Sequence, residues 1–243
     1  MIAQPDQPVN ADILLASASP RRRELIKLLG LPVTTTAADI DETPLAGEAA
    51  AEMAVRLSRE KAQSARFASM QPSAFSDQQS VAGNPQLAIY DIIVASDTIV
   101  SLDGEPLGKP RDADEARSML KRLRHRTHQV YTAITLIDTR TNQTVTDLAA
   151  TDVPMRDYTD AEIEAYIAGG DPFDKAGAYA IQHAGFHPVD QLTGCFANVM
   201  GLPLCHLVRS LRRLGIEPQN DVPTLCQAHV HYDCPVFETI LVV

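Results

Sequence analysis

A run of three arginines near the start of the chain is the first group of residues that could bind a ligand. Residues 14–25 read LLASASPRRREL, so two serines and a proline separate an apolar segment from the arginines at 21–23. Ser19 suits a helix N-cap and Pro20 suits the first helical position, which places the arginines in the first turn. Cations are unfavourable there because the helix dipole already makes that end positive. A phosphate held by free N–H and guanidinium groups would remove the conflict, although three solvated surface arginines fit the pattern equally well.

Charged residues that follow predicted strands form a second group of candidates, because ligands in open α/β sheets bind at the carboxyl ends of strands. Asp97 follows the apolar run Ile92–Ala95, so we expect a partly buried carboxylate that binds a divalent ion or takes a proton from water. Lys109 and Lys175 lie in turns. The plainer interpretations are a strand-end cap for Asp97, a surface turn around Lys109, and a local ion pair between Asp174 and Lys175.

Several common catalytic motifs are missing from the sequence. It contains neither GxGxxG nor GxxxxGK[ST], the glycine-rich loops that hold phosphates. It also has no GxSxG motif, which weakens the case for a serine hydrolase. A phosphate site in this chain must therefore be assembled from arginines and lysines that are scattered along it.

The charge balance favours a small anionic ligand over a nucleic acid. The chain has 243 residues, is 45% hydrophobic and carries a formal net charge of −10, whereas a nucleic-acid backbone requires a basic surface. A local arginine cluster in an acidic chain fits a small anion, with a metal ion to offset charge. No apolar stretch approaches the ~18 residues of a membrane span, and the polar N-terminus does not resemble a secretory signal. We therefore expect a cytoplasmic protein that contacts neither membrane nor nucleic acid.

The four cysteines match neither a disulfide scaffold nor a CxxC metal motif. Without an export signal, reduced thiols are the default expectation. Two cysteines and two histidines lie within residues 226–234, but zinc sites usually take two ligand pairs from separate turns. We therefore interpret this cluster as part of a variable C-terminal tail and not as a zinc site.

The order of predicted elements indicates an α/β protein, a single domain with one mixed, twisted sheet flanked by helices. Capping patterns predict helices after Asp112 and Thr159. The other predicted elements are strands at residues 13–16, 33–37, 92–95, 129–138, 144–153, 178–182 and 236–243, and helices at residues 20–29, 48–67 and 202–214. Residues 69–86 are rich in Gln, Ser, Pro and Gly without periodicity, which predicts an insertion loop.

Eight segments resemble the Maf family of nucleoside triphosphate pyrophosphatases, and they occur in the order typical of that family. The segments are LASASPRRREL (15–25), DETP (41–44), RLSREKA (56–62), ASDTIV (95–100), GKPRD (108–112), THQVYTA (127–133), DKAGAYAIQ (174–182) and VMGLPL (199–204). The resemblance implies a Maf domain of ITPase-like fold at residues 11–215, with residues 216–243 as a C-terminal extension.

The resemblance also implies a reaction and the residues that perform it. Members of the family hydrolyse a nucleoside triphosphate to the monophosphate and pyrophosphate with a divalent metal cation, Mg²⁺ or Mn²⁺. The family also suggests a homodimer and a role in removing unwanted nucleotides. Asp97 matches the family's proton acceptor, and Glu42 and Asp97 would bind the metal; whether Asp97 is base, metal ligand or both stays open. The residues that match substrate-binding positions are Ser17, Arg21, Arg22, Lys61, Thr98, Lys109, Lys175 and Gln182.

Three positions distinguish branches of the family. The dTTP/UTP branch has arginine after Ser-Pro, threonine after the key aspartate and glutamine after the later isoleucine, which here are Arg21, Thr98 and Gln182. A glutamine amide both donates and accepts at the edge of uracil or thymine. The resemblance thus implies a dTTP/UTP pyrophosphatase, although Ala180 departs from the usual glycine. The alternatives are a pyrophosphatase for 7-methyl-GTP or another modified purine nucleotide, and a non-enzymatic regulator of cell division.

Overall fold

A six-stranded mixed sheet forms the centre of the molecule, and the computed structural model describes residues 11–70 and 90–242. The strands are β1 (Ile13–Ala16), β2 (Val33–Thr36), β3 (Ile92–Leu102), β4 (Glu105–Leu107), β5 (Thr127–Asp138) and β6 (Thr144–Pro154). Their order is β2-β1-β3-β5-β6, with β4 paired to the far end of β3. β1 runs parallel to β2 and β3, whereas β5 runs antiparallel to both of its neighbours, β3 and β6. The predicted mixed sheet is confirmed.

Eight α-helices within the described residues pack around this sheet. They are α1 (Pro20–Ile26), α2 (Ala50–Ser69), α3 (Ala113–Leu123), α4 (Asp160–Ala168), α5 (Phe196–Val199), α6 (Leu204–Arg213), α7 (Val222–Val230) and α8 (Phe237–Leu241). The predicted insertion loop at residues 69–86 lies outside the described residues from residue 71 onward. None of the described helices combines the length and the apolar character needed to cross a bilayer.

Three helices begin at the N-caps that the sequence predicts. The side chain of Ser19 caps α1, that of Asp112 caps α3 and that of Thr159 caps α4. Each accepts a hydrogen bond from a backbone N–H of the first turn, because these groups have no partner within the helix. The caps fix where the helices begin, and therefore where the neighbouring turns leave the sheet.

Alternation along β1 and β3 separates the two faces of the sheet, since successive strand side chains point to opposite sides. Leu15 and Val94 belong to an apolar cluster with residues of α1 and α6. Leu14 and Ile93 belong to a second cluster with Ala62 of α2. The central strands are therefore buried on both faces, which explains why they read as continuous apolar runs.

β3 is longer than predicted, and it contains Asp97 in its interior. β1 stops at Ala16, which lies opposite Ala95. β3 continues to Leu102 because its other edge stays paired with β5, with Asp97 opposite Ala133. The prediction that Asp97 ends a strand is therefore wrong, although Asp97 does lie two residues beyond Ala95, the last residue that pairs with β1.

The strand predicted at residues 178–182 does not form. A 3-10 turn covers Ala176–Ala178, where Gly177 has a φ of 71° and Ala178 a φ of 61°. Residues with positive φ interrupt an extended backbone. The N–H of Ala180 donates to the hydroxyl oxygen of Tyr166 at 3.0 Å and not to a neighbouring strand. The segment is thus a loop held by a side chain.

The C-terminal tail is helical where a strand was predicted. α8 occupies the centre of the apolar segment 236–243. Val236 and Leu241 pack against the main apolar cluster, and Arg209 of α6 donates to the carbonyl oxygen of Ile240 at 3.2 Å. Packing against a helix, and not pairing at a sheet edge, therefore partly buries these residues, because tertiary context overrides local β propensity.

Candidate active site

A cleft of about 640 Å³ lies beyond the end of β1, beside the middle of β3. This is the carboxyl end of the parallel part of the sheet, where open α/β sheets bind ligands. All ten predicted site residues line the cleft: Ser17, Arg21, Arg22, Glu42, Lys61, Asp97, Thr98, Lys109, Lys175 and Gln182. The fold therefore brings together side chains from distant parts of the chain.

Strand alternation sends Asp97 to the α2 side of the sheet, where it meets Lys61. The Lys61 ammonium donates to Asp97 Oδ1 at 2.5 Å and contacts Glu42 Oε1 at 2.6 Å. The side chains of Lys61 and Asp97 are 10% and 8% exposed, whereas that of Glu42 is 50% exposed. One buried cation thus joins two carboxylates, of which one is enclosed and the other reaches solvent.

The charges around Glu42 keep it ionised. Burial alone would raise the pKa of Glu42, but the Lys61 hydrogen bond and the positive charges of Lys61, Lys109 and Arg22 lower it below its ordinary value. Opposite charges favour the ionised form of a carboxyl group. Glu42 therefore presents an anionic oxygen at the mouth of the cleft at neutral pH.

Arg22 is held in place by the opposite side of β3. Its Nε donates to the Gly201 carbonyl oxygen and one terminal nitrogen donates to Thr98 Oγ1, both at 2.8 Å. Burial lowers the pKa of Arg22, an effect that the nearby charge of Asp97 opposes. A guanidinium has five N–H donors, so these two contacts orient the group and leave other donors for a ligand. Thr98, predicted to contact substrate, acts here as a support for Arg22.

Gly201 and Ser96 support the same arrangement and were missed in the sequence analysis. The Gly201 carbonyl also accepts a hydrogen bond from Ser96 Oγ at 2.8 Å. Gly201 has a φ of +100°, and a Cβ there would lie 3.1 Å from both Arg22 Nε and Thr98 Oγ1. Only glycine fits such a close approach. The VMGLPL segment was the available signal, since it places a glycine two residues before a proline.

The side chains of the three consecutive arginines point in three directions and do not form a single anion-binding site. Arg21 forms an ion pair of 3.7 Å with Asp174. Arg23 turns back and donates from Nε to the carbonyl oxygen of Ser17 at 3.2 Å, and it does not line the cleft. Of the cluster, Arg21 and Arg22 are therefore available to a ligand in the cleft.

Lys175 forms the local ion pair that the sequence left open as an alternative. Its ammonium donates to Asp174 Oδ1 at 2.5 Å, to Asp171 Oδ1 at 3.0 Å and to the Asp171 carbonyl oxygen at 2.6 Å. These contacts use all three N–H donors of a lysine. Lys175 thus neutralises the carboxylates on this wall, and a phosphate would have to displace Asp174 to reach it.

Lys109 and Gln182 are solvent-exposed, like Glu42. Both line the cleft. Within residues 11–70 and 90–242, Lys109 forms no ion pair and the side chain of Gln182 forms no hydrogen bond. An exposed ammonium and a free amide at the rim are suitable groups to meet an incoming anionic, hydrogen-bonding ligand.

The donor set fits a hard divalent cation that shares its coordination with a substrate. Glu42 and Asp97 each place a carboxylate oxygen beside the Lys61 ammonium, so the two carboxylates lie close together. In the described part of the chain, no group of three or more His, Cys, Asp or Glu side chains is placed to hold a metal by itself. Mg²⁺ typically binds one or two carboxylates together with water and substrate phosphates, so two carboxylates are compatible with it.

Known proteins provide an independent comparison. The chain is 46% identical over 211 residues to the dTTP/UTP pyrophosphatase of Myxococcus xanthus, which covers 86% of this chain and 96% of that protein. It is 42% identical over 210 residues to the dTTP/UTP pyrophosphatase of Methylococcus capsulatus, covering 86% and 94%. It is 42% identical over 205 residues to the nucleoside triphosphate pyrophosphatase of Haemophilus ducreyi, covering 84% and 96%. Among solved structures, the Ham1 protein of Staphylococcus aureus matches with a TM-score of 0.41 and 14% identity over 90% of this chain and 98% of that chain.

The family comparison covers the sheet, the cleft and helices α1 to α6. The Maf-like protein family profile matches residues 12–214, which include every residue that lines the cleft. Together with relatives that are more than 40% identical over most of their length, this match shows that the chain belongs to the Maf family.

Proposed function

We propose that the protein is a nucleoside triphosphate pyrophosphatase that hydrolyses dTTP and UTP to the monophosphate and pyrophosphate. The observation that carries the proposal is the enclosed Asp97 carboxylate, which shares Lys61 with Glu42 inside a cleft lined by basic side chains. Relatives in the Maf family with this name support the substrate class.

The charge of the cleft supports a polyphosphate substrate with a cation. Five lysine and arginine side chains line it, against the carboxylates of Glu42, Asp97 and Asp174. A triphosphate brings about four negative charges, and catalysis of phosphoryl transfer depends on positioning and charge neutralisation. The protein side chains neutralise part of this charge, so a divalent cation is expected to complete the site.

Asp97 is the proposed proton acceptor. Its Oδ1 is engaged by Lys61, whereas Oδ2 receives no hydrogen bond from the described part of the chain. We assign Oδ2 to orient the attacking water and take its proton as the bond between the α and β phosphates breaks. Lys61 keeps the carboxylate in one orientation, and Arg22 and Lys109 bind phosphate oxygens.

Glu42 and Asp97 would hold Mg²⁺ or Mn²⁺, with the phosphates and water as the other ligands. When bound, the metal would withdraw negative charge from the phosphate oxygens. Lys61 lies between the two carboxylates, so its positive charge would reduce the repulsion between them. The same contacts would fix the distance between the two carboxylates. The half-exposed Glu42 gives the site its access to solvent.

A panel of triphosphates tests the substrate assignment. Pyrophosphate release is measured with dTTP, UTP, CTP, GTP, ATP and 7-methyl-GTP at equal Mg²⁺ concentration. We expect kcat/KM to be highest for dTTP and UTP. A preference for 7-methyl-GTP or another purine would contradict the pyrimidine assignment, and no release from any triphosphate would contradict the enzymatic function.

Gln182→Ala should reduce the preference for uracil-like bases more than it slows the reaction. Loss of one or two hydrogen bonds to a base edge changes kcat/KM for UTP about tenfold, while kcat/KM for CTP and ATP should change little. Gln143→Ala, which alters an exposed glutamine in the hairpin turn, is the matched control and should leave all ratios unchanged. An equal loss across the panel would argue against a base-reading role.

Arg22→Ala should impair hydrolysis of every triphosphate alike, because a phosphate-binding cation does not distinguish bases. We expect kcat/KM to fall about 10²–10³-fold, the range seen when one preorganised donor is removed. Arg23→Ala is a close control, since the neighbouring arginine does not line the cleft, and it should reduce kcat/KM by less than about threefold. A loss restricted to one base would contradict the assignment.

A further inference from the structure

All four cysteines of the chain meet at one place, away from the cleft. Cys195, Cys205, Cys226 and Cys234 line a small apolar cavity of about 10 Å³ between α5, α6, α7 and the segment before α8. Three of them are buried, whereas Cys234 is half-buried and reaches solvent. The proposed hydrolysis uses none of these thiols.

Two of the four thiols form a pair. The Cys234 thiol interacts with the Cys195 thiol, which lines the same cavity, and with the backbone N–H groups of Val236 and Phe237. These donors stabilise the thiolate and lower the pKa of Cys234 to about 6, although burial opposes the effect. The thiolate is the nucleophilic form of cysteine, so the lowered pKa favours Cys234 as the nucleophile of the pair.

The other two cysteines lack this activation. Burial raises the pKa of Cys205 to about 12 and that of Cys226 to about 11. Both side chains are below 10% exposed. Cys195 is likewise buried, and its interaction with Cys234 together with burial raises its pKa. A buried, protonated thiol reacts slowly with oxidants, so the cavity contains one reactive thiol, Cys234.

The surrounding contacts keep the pair together. The Tyr232 hydroxyl donates to the Leu192 carbonyl oxygen at 2.8 Å, with the Gly194 carbonyl oxygen 3.1 Å away. The N–H of Cys234 donates to Gln227 Oε1 at 2.9 Å. The C-terminal segment is therefore fastened to the residues that directly precede Cys195.

We propose that Cys234 and Cys195 form a site of reversible oxidation, at which a peroxide converts the two thiols into a disulfide. The Cys234 thiolate attacks one peroxide oxygen, the O–O bond breaks, and a sulfenic acid forms as hydroxide leaves and is protonated to water. The Cys195 sulfur then gives up its proton and attacks the sulfenic sulfur, so that an S–S bond forms and a second water leaves. The thiols lose two electrons and the peroxide gains them.

The disulfide would tie the C-terminal extension to the part of the chain that matches the Maf family. It would close a loop of about 40 residues that contains α5, α6 and α7. Closing a loop of this size restricts the unfolded chain and stabilises the folded one. The consequence is a covalent link between the tail after residue 214 and the helix that leads to Gly201 in the cleft.

Peptide mass spectrometry of the full-length protein tests the proposal. The reduced protein is treated with hydrogen peroxide and digested with trypsin, which places Cys195 in peptide 176–209 and Cys234 in peptide 214–243. We expect the two peptides to be joined, with fragment ions that assign the link to Cys195 and Cys234, and dithiothreitol should separate them. Absence of the link, or a link that joins Cys205 to Cys226, would overturn the proposal.

Matched variants separate the two steps. Cys195→Ser should leave a sulfenic acid on Cys234 that reacts with dimedone, whereas Cys234→Ser should give neither label nor link. Cys226→Ser and Cys205→Ser are controls and should cross-link like the original protein. In the oxidised protein the melting temperature should rise by roughly 5–10 °C. A link that persists in Cys234→Ser, or an oxidised protein that melts no higher than the reduced one, would contradict the assignment.

Discussion

Asp97→Asn should lower kcat for pyrophosphate release from dTTP and UTP by about 10²–10⁴-fold, the usual contribution of a positioned general base. Asparagine has nearly the same shape, but it cannot accept a proton from water, and it has no negative charge with which to bind a cation. KM should change much less, because Arg22 and Lys109 still bind the phosphates. Steady-state kinetics with Mg²⁺ at saturating substrate measures the effect.

A buried aspartate outside the cleft provides the control. Asp138 is 4% exposed, compared with 5% for Asp97, and it accepts backbone hydrogen bonds from Arg140 and Thr141. Asp138→Asn should therefore cost stability to a similar degree and leave kcat within about threefold of the original value. If Asp97→Asn keeps full activity at an unchanged melting temperature, Asp97 is not the proton acceptor.

Lys61→Met should reduce kcat about 10²-fold or more, a range typical of removing one preorganised charge from an enclosed site. Methionine retains much of the volume of the lysine stem but leaves Asp97 and Glu42 without the cation that joins them. The two carboxylates then repel each other and lose their shared orientation. Pyrophosphate release at saturating substrate, with Mg²⁺ present, shows the loss.

The same substitution should change the pH dependence. In the original protein the pKa of Glu42 lies below its ordinary value, and Lys61 is the largest of the charges that lower it. An activity that needs ionised Glu42 is retained above that pKa and is lost as the pH falls through it. Without Lys61 the pKa of Glu42 rises, so the acid limb of the kcat/KM profile should move to higher pH.

A lysine outside the cleft shows whether these effects are specific. Lys121 forms an ion pair with Asp160 at 2.8 Å on the surface, and exposed pairs contribute little to stability. Lys121→Met should leave kcat and the acid limb unchanged. An acid limb that stays in place in Lys61→Met would show that Glu42 does not control the activity in this pH range.

The local sequence was sufficient for features that depend on neighbouring residues. Ser19, Asp112 and Thr159 cap helices as predicted, because a cap satisfies backbone N–H groups only two or three positions away. The hairpin of β5 and β6 also follows from alternation and a short turn. The predictions failed where long-range packing decides the secondary structure, as at Phe237–Leu241, which form a helix and not the predicted strand.

The candidate site likewise has features that the sequence predicted and features that only the tertiary structure showed. Residue types and spacing, with the resemblance to the Maf family, identified ten of the residues that line the cleft. They did not reveal that Thr98 holds Arg22, that Gly201 must lack a side chain, or that Lys175 is bound by Asp171 and Asp174. Such contacts join residues far apart in the chain or depend on a particular backbone angle.

The amino-acid sequence on its own determined the chemistry that is available: an acidic chain with basic residues in turns, one aspartate after an apolar run, and capped helices between strands. The tertiary structure alone decided which side chain acts on which. Asp97 meets Lys61 because successive residues of β3 face opposite sides of the sheet and β1 ends at Ala16. Strand pairing sets that direction and that end, and it depends on contacts that no local stretch of sequence contains.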